Sequence, residues 1–200
     1  MSISLIKSQI FKEKNLDLIY YSNFFDKKIS NKLFIKLLKN ITWKNDTFKI
    51  MGKNIVLKRR TAWYGDYGKT YKYSGTVRKP QLWNKDLKSI KSKIEKRTNF
   101  IFNSVLLNDY KNGHIGMGFH SDDEKELGSK PVIASLSFGA SRDIYFKNKC
   151  NKNLKKIKIL IEDGSLLIMK GETQKYWKHS IPIRRKIKER RINLTFRYIY

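Results

Sequence analysis

Cysteine is nearly absent. Cys150 stands alone, so the chain can form no internal disulfide, which fits a reducing compartment. Apolar runs are short, and none approaches the roughly 18 residues that a membrane span needs. Met1 to Gln9 lacks the long apolar stretch and small-residue site of a secretory leader. Proline occurs three times, and no proline-rich tract, Gly/Ser linker or internal repeat breaks up the chain. These absences point to one soluble, intracellular domain, and 200 residues suffice to bury a real core. Hydrophobic residues at 40% and aromatics at 13% argue against disorder.

Acidic residues are also scarce. Asp and Glu total 17 against 44 Lys and Arg, for a formal net charge of +27. Such an excess attracts polyanions, because each neutralised phosphate releases condensed counterions. Heavy use of Lys, Ile and Asn also suits an AT-rich genome, so part of the charge is accounted for by codon bias on solvated faces.

Leu16 to Phe25 reads as an early strand ending in a turn near Ser22-Asn23. Ser30 is placed to cap a helix carrying Leu33, Phe34, Leu37 and Leu38. A second helix is expected from Asn84 to Arg97, with Leu87, Ile90 and Ile94 on one face. Short strands follow at Phe102–Tyr110, Ile133–Phe138, Arg142–Phe146, Ile157–Ile161, Ser165–Met169 and Ile192–Ile199. Strands in succession, broken by Gly, Asn and Asp, predict helices packed on a β-sandwich or barrel, class α+β.

Three constellations carry chemistry. In an extended segment residues i and i+2 point the same way, so His120 and Asp122 can converge, and His179 can join from another strand. Two histidines and one carboxylate form the facial triad that leaves positions open on Fe(II); a lone His-x-Asp, however, occurs often by chance. Second, Arg191, Asn193, Thr195 and Arg197 alternate with Ile192, Leu194 and Phe196. A half-buried strand explains the apolar face. The other face wants an anion, because a guanidinium matches a carboxylate as a two-pronged donor, and a dicarboxylate such as 2-oxoglutarate satisfies it. A basic solvated edge is the alternative. Third, Asn108 and Tyr110 offer an amide and a phenol on one side, although a buried Tyr with a satisfied hydroxyl is ordinary. His114 follows the turn signal Asn112-Gly113 and reads as a loop residue. Cys150 lies among charges, with no paired base nearby in sequence.

Together these segments resemble the AlkB-type Fe(II)- and 2-oxoglutarate-dependent dioxygenases. The match runs in family order through Asn108-x-Tyr110, His120-x-Asp122, Ala134 to Ala140, Asp163-Gly164-Ser165-Leu166-Leu167, His179 and Arg191-x-Asn193-x-Thr195-x-Arg197. It covers roughly residues 60 to 200. Tyr64-Gly65-Asp66, Tyr71-x-Tyr73-Ser74-Gly75 and His120-x-Asp122-Asp123-Glu124 are similar to the branch that repairs double-stranded DNA.

The resemblance implies a double-stranded β-helix (jelly-roll) core with flanking helices. A nucleotide-recognition extension would occupy about residues 1–100 of a single domain spanning 1–200, and the core about 101–200. It implies that His120, Asp122 and His179 hold Fe(II), and that Arg191, helped by Tyr110 and Thr195, clasps the distal carboxylate of 2-oxoglutarate. Asn108 and Arg197 fall nearer the keto-acid end, with Asn193 on the same face. The implied reaction consumes O2, turns 2-oxoglutarate into succinate and removes N-alkyl groups of the 1-methyladenine and 3-methylcytosine type from DNA. An RNA demethylase and a catalytically silent nucleic-acid-binding homologue are the alternatives.

A base in a duplex must be flipped out for this chemistry. Tyr71 and Tyr73 then form a wall or lid over it, or else a surface pair on a β-hairpin; Ser74, Asp123 and Glu124 add polar contacts. Tyr73 stands where the duplex-repair branch usually has Phe. Ile50-Met51-Gly52 aligns with a finger that wedges into the base stack, while Phe48, Ile50 and Met51 read equally as a core strand and its turn. Lys58-Arg59-Arg60 and the lysines from Lys147 to Lys158 are expected on backbone phosphates, or on solvated loops. The partners expected are DNA, duplex or single-stranded, or RNA, with no membrane, for a monomer in the nucleus, another DNA-containing compartment or a viral replication site.

Overall fold

The computed structural model describes residues 8–50, 53–68, 71–73, 76–151 and 153–200. Three strands and a helix open the chain: β1 (Ser8–Glu13), β2 (Leu16–Tyr21), α1 (Lys27–Asn40) and β3 (Lys44–Ile50). A long strand β4 (Lys53–Gly65) pairs back on β3, and the short strands β5 (Tyr71–Tyr73), β6 (Thr76–Arg78) and β7 (Gln81–Leu82) precede α2 (Lys85–Thr98). Then come β8 (Ser104–Tyr110), β9 (Met117–His120), β10 (Ile133–Gly139), β11 (Arg142–Asn148), β12 (Ile157–Ile161) and β13 (Leu166–Lys170). A single turn of helix, α3 (Thr173–Tyr176), leads into β14 (Trp177–Ile181) and β15 (Arg191–Arg197).

Two sheets, antiparallel except where β7 joins β4 in parallel, form the body. The major sheet runs β1-β2-β13-β10-β15-β8-β4-β3, with β7 beside β4, and the minor sheet runs β12-β11-β14-β9. Facing antiparallel sheets with crossovers make the expected jelly roll. The division expected near residue 100 does not interrupt the sheet, because β2 pairs with β13 and β4 pairs with β8.

Period-2 alternation sorts the major sheet's side chains onto two cores. One face of β8, β10, β13 and β15 sends Leu107, Phe138, Ile168 and Phe196 against the helices, where Leu37, Leu87, Ile90 and Ile94 meet them. From β2 and β13 the other face sends Leu18, Leu167 and Met169 against Phe146, Ile159, Ile161 and Trp177 from the minor-sheet side. Along β8 and β15 that same inner face turns polar. The space between the sheets therefore closes over an apolar core at one side and stays open as a cavity at the other.

The helix limits have local causes. The helix expected from Asn84 to Arg97 forms as α2 with Asn84 as its cap, the side chain accepting from the Leu87 N–H at 2.9 Å, and Asn99 ends it in the left-handed conformation. The cap of α1 is Asp26 rather than Ser30, its carboxylate accepting from the Ile29 N–H at 2.8 Å. Ser30 lies inside the first turn, fully buried, and its hydroxyl donates to Asp163. Asp163 also accepts from the Gly139 N–H at 2.8 Å and from Lys27 Nζ at 2.7 Å. Gly139 sits at φ +85°, and a Cβ there would lie 2.3 Å from the Arg190 carbonyl oxygen. This knot pins α1 to the ends of β10 and to the turn before β13.

The expected strands from residue 102 onward form within a few residues of their predicted limits. β1, β4 and β7 were not expected, whereas β3 holds Phe48 and Ile50, the segment for which a core strand was the alternative to a wedge. Among the described residues no helix is long and apolar enough to cross a membrane.

Candidate metal and co-substrate site

Register builds the site. β15 pairs with β8 so that Arg191 faces Tyr110, Asn193 faces Asn108 and Thr195 faces Leu106. All six line one cavity of about 210 Å³. Across it, β14 pairs with β9 to place His179 opposite His120, their ring centroids 4.2 Å apart. Asp122, just beyond β9, lines the same cavity, as does Arg197. The nine residues expected to serve metal and co-substrate thus converge, although they come from four separate stretches of chain.

Arg191 defines the closed end. It is 3% exposed, its Nη2 donates to Ser137 Oγ at 2.9 Å, and the Tyr110 ring lies 5.4 Å from its guanidinium carbon. Its Nε and Nη1 find no hydrogen-bond partner among the described residues. Burial, with the charge of Arg142 adding to it, pulls its pKa down to about 10 against the favourable influence of Tyr110, so it stays charged near neutral pH. A buried guanidinium with two idle donors costs free energy unless an anion meets it. A carboxylate fits.

The opposite end suits a cation. His120 Nδ1 lies 2.9 Å from the Gly118 carbonyl oxygen; a carbonyl only accepts, so Nδ1 carries the proton and Nε2 offers its lone pair. His179 is 7% exposed, and burial depresses its pKa to about 4, leaving the neutral ring that metals bind. Burial opposes the charge of Asp122, but the Arg197 guanidinium leads the groups that outweigh it and hold the carboxyl below its ordinary range. Arg197 Nη2 donates to Asp122 Oδ1 at 2.7 Å, and the Asp122 N–H donates to Gln174 Oε1 at 3.0 Å. Among the described residues no three His, Cys, Asp or Glu side chains are drawn tightly enough to form an assembled metal cluster. Here the chemistry of the donors outweighs their spacing, because two imidazoles and one ionised carboxylate on a common cavity are the donor set that suits Fe(II).

The residues expected at the base and the phosphates fare differently. Glu124 lines the cavity, and its Oε2 is buried with no partner among the described residues. Asp123 points out to Lys149, whose Nζ lies 2.8 Å from Asp123 Oδ2 and also reaches the Gln174 carbonyl. Tyr71 and Tyr73 fall on β5, described here by backbone alone, and Ser74 lies outside the described residues. Ile50 ends β3, while Met51 and Gly52 lie outside the described residues.

The basic triplet is corrected. Lys58 is exposed, but Arg59 is buried and its Nε donates to Asn108 Oδ1 at 2.8 Å. Arg60 pairs with buried Asp109 at 2.6 Å and lies over Trp43. Because these residues sit on a strand, alternation turns Arg59 toward the cavity side and Arg60 toward the helix side. Likewise Lys149 and Lys158 of the second lysine run are engaged, by Asp123 and Asp143. His114 sits exposed in the Asn112-Gly113 turn, and Cys150 is exposed and free.

Three participants went unnoticed in the sequence. Ser137, on Arg191, had a signal, since Ser135 and Ser137 alternate within the quoted Ala134–Ala140 segment. Arg59 was read as surface charge, and Gln174 had no signal at all.

A jelly roll with a buried arginine at one end of its cavity and a His/Asp/His set at the other fits an Fe(II) oxygenase that uses a 2-oxo acid. The comparisons agree. Residues 17–197 match the 2OG-Fe(II) oxygenase superfamily, and the chain belongs to it. Its cofactors are accordingly Fe(II), 2-oxoglutarate and O2. The chain is 36% identical over 188 residues to the DNA oxidative demethylase ALKBH2 of Bos taurus, which covers 90% of this chain and 68% of that protein. It is 37% identical over 188 residues to the alpha-ketoglutarate-dependent dioxygenase alkB homolog 3 of Homo sapiens, covering 90% of this chain and 65% of that protein. The solved structure of OsALKBH1 shares the fold at a TM-score of 0.69 and 14% identity, over 96% of this chain and all of that one.

Proposed function

We propose that this chain removes N-alkyl lesions of the 1-methyladenine and 3-methylcytosine type from DNA bases while converting 2-oxoglutarate to succinate. The observation that carries the reading is Arg191, buried with two idle donors at the closed end of a cavity whose other end holds His120, Asp122 and His179. Fe(II), when bound, supplies the oxidation, with O2 as oxidant and 2-oxoglutarate as the source of the second electron pair.

The chain's own residues do the positioning. His120 Nε2, His179 and an Asp122 oxygen hold the ion, while Arg197 keeps Asp122 ionised and oriented. Arg191 grips the distal carboxylate with Tyr110 beside it, Asn108 and Asn193 serve the keto-acid end, and Thr195 and Arg197 follow along the strand toward Asp122. Asn193 donates to Ser135 Oγ at 2.9 Å and to the Leu136 carbonyl at 3.0 Å, which braces the floor between those ends. Met117, Ile144 and Ile181 line the walls and exclude water. Insertion of one oxygen atom into an N-methyl C–H bond gives an N-hydroxymethyl group. That group leaves as formaldehyde, and the base nitrogen is restored.

Nucleic acid is the substrate class favoured by a net charge of +27 and by similarity to the DNA oxidative demethylase of Bos taurus. The buried Glu124 Oε2 is an acceptor suited to an exocyclic amine of adenine or cytosine. A second hollow of about 260 Å³ shares Leu106 with the first and is lined by Trp63, Lys44, Lys79 and Gln81, an aromatic and basic surface suited to a neighbouring nucleotide. In this reading Tyr71, Tyr73 and Ser74 close over the flipped base and Asp123 lies at its rim. The Ile50-Met51-Gly52 segment fills the gap in the stack, Lys58 meets phosphate, and the protein acts as a monomer in a DNA-containing compartment.

The test is incubation with Fe(II), 2-oxoglutarate and O2 on 1-methyladenine and 3-methylcytosine oligonucleotides, single- and double-stranded, with base mass read by mass spectrometry. Loss of one methyl mass by the wild type, abolished in Asp122→Ala while nucleic-acid binding persists, is the expected result. Normal turnover by Asp122→Ala would remove the metal assignment. Consumption of 2-oxoglutarate with no change in any base would remove the substrate, and methylated RNA oligonucleotides would be tried next.

A further inference from the structure

We propose that Arg59 is a positioning residue for the co-substrate: it fixes the Asn108 side-chain amide so that its NH2 group faces the cavity and donates to a carboxylate of 2-oxoglutarate. This rests on the reading of the cavity as the 2-oxoglutarate site.

The hydrogen-bond chemistry allows one arrangement. A guanidinium has donors only, so the Asn108 atom 2.8 Å from Arg59 Nε has to be the amide oxygen. The NH2 group is then the part of Asn108 left over, and no hydrogen bond among the described residues uses it. Asn108 lines the cavity and is 4% exposed, so the surface left to that group is cavity surface. Flipping the amide would set two donors face to face in a buried place, at the cost of an unsatisfied pair.

Register says which end of the co-substrate the amide meets. Asn108 lies two residues from Tyr110 on β8, and Tyr110 stands opposite Arg191. Two residues of a strand span roughly 7 Å, about the reach of a five-carbon dicarboxylate. With the distal carboxylate on Arg191, the keto-acid end comes level with Asn108 and Asn193. Arg59 supplies a positive charge behind that amide without itself lining the cavity, and charge-assisted bonds of this kind are the stronger ones. The same contact removes Arg59 from the phosphate-facing surface, where its neighbours in sequence would otherwise have placed it.

The experiment is calorimetric titration of 2-oxoglutarate into the full chain loaded with Mn(II), which occupies oxygen- and nitrogen-donor sites without turning the co-substrate over. The proteins are the wild type, Arg59→Gln, Arg59→Lys, Asn108→Ala and the Arg59→Gln/Asn108→Ala pair, with melting temperatures before ligand as a check on folding. Expected is a roughly three- to tenfold weaker Kd for Arg59→Gln, a smaller loss for Arg59→Lys, and a double variant no weaker than Asn108→Ala alone. Losses that multiply in the double variant, or an unchanged Kd in Arg59→Gln, overturn the proposal. So does a variant that keeps its 2-oxoglutarate affinity but binds a DNA oligonucleotide more weakly, since that is the behaviour of a phosphate contact. A wild type that takes up no 2-oxoglutarate removes the co-substrate reading itself, and this inference with it.

Discussion

Replacing Arg191 with methionine should move stability and ligand binding in opposite directions. The side chain is 3% exposed and charged, with one hydrogen bond to Ser137 and two idle donors. Exchanging an uncompensated buried charge for an apolar chain of similar length is neutral or stabilising, by about 1–4 kcal/mol; loss of the Ser137 contact takes back about 1 kcal/mol. The ligand-free Arg191→Met protein should therefore melt at or above the wild-type temperature. For 2-oxoglutarate the arithmetic reverses. Two charge-assisted hydrogen bonds at about 1.5–3 kcal/mol each make roughly 3–6 kcal/mol, or a Kd weaker by about two to four orders of magnitude. Thermal denaturation with Mn(II), with and without 2-oxoglutarate, reads both quantities. Ligand at about 100 times the wild-type Kd stabilises by roughly 2.7 kcal/mol. In a chain of this size that is a rise of roughly 5–10 °C, and it should vanish in the variant. A large drop in the melting temperature of ligand-free Arg191→Met, or a preserved ligand-induced rise, would refute the argument that Arg191 is an anion site awaiting its carboxylate.

The knot at Asp163 gives a pH prediction. Burial opposes its charge, but Lys27, Ser30 and the Gly139 N–H together hold its carboxyl below the ordinary range. A depressed folded pKa contributes stability that is complete above the unfolded value of about 3.9 and is lost as pH falls through the lower folded value. Asp163→Asn should thus be less stable than wild type at neutral pH by roughly 1–3 kcal/mol, with the gap narrowing below about pH 4 in urea melts; a constant gap would contradict the linkage. Gly139→Ala forces a Cβ against the Arg190 carbonyl at φ +85° and should cost more than about 1 kcal/mol in the same melts. A neutral result there would mean that the β10–β15 end relaxes freely.

Much of the site was legible because strands impose a strict period. Arg191, Asn193, Thr195 and Arg197 had to share a face once Ile192, Leu194 and Phe196 were granted to a core, and all seven are buried as that division requires. His120 and Asp122 do line one cavity. β4 escaped notice for a related reason. Ala62 and Tyr64 face the helices while Thr61 and Trp63 face the polar cavity side, so the run shows no apolar alternation to read. The α1 cap was misplaced because Asp26 and Ser30 are both good capping residues. The tie to Asp163, which is 133 positions away in sequence, decides between them.

The sequence by itself determined the donors, their spacing and the helix faces, since these follow from side-chain chemistry and from backbone periods of 2 and 3.6 residues. Only tertiary structure decided what each charge is for. Arg59 and Arg60 are the same residue one position apart, yet one holds the Asn108 amide at the cavity and the other neutralises Asp109 on the opposite face. His179 likewise meets His120 only because β14 crosses to β9. Period fixes which residues share a side, but pairing with distant strands fixes what lies across from them, and a buried charge takes its role from its nearest counter-charge.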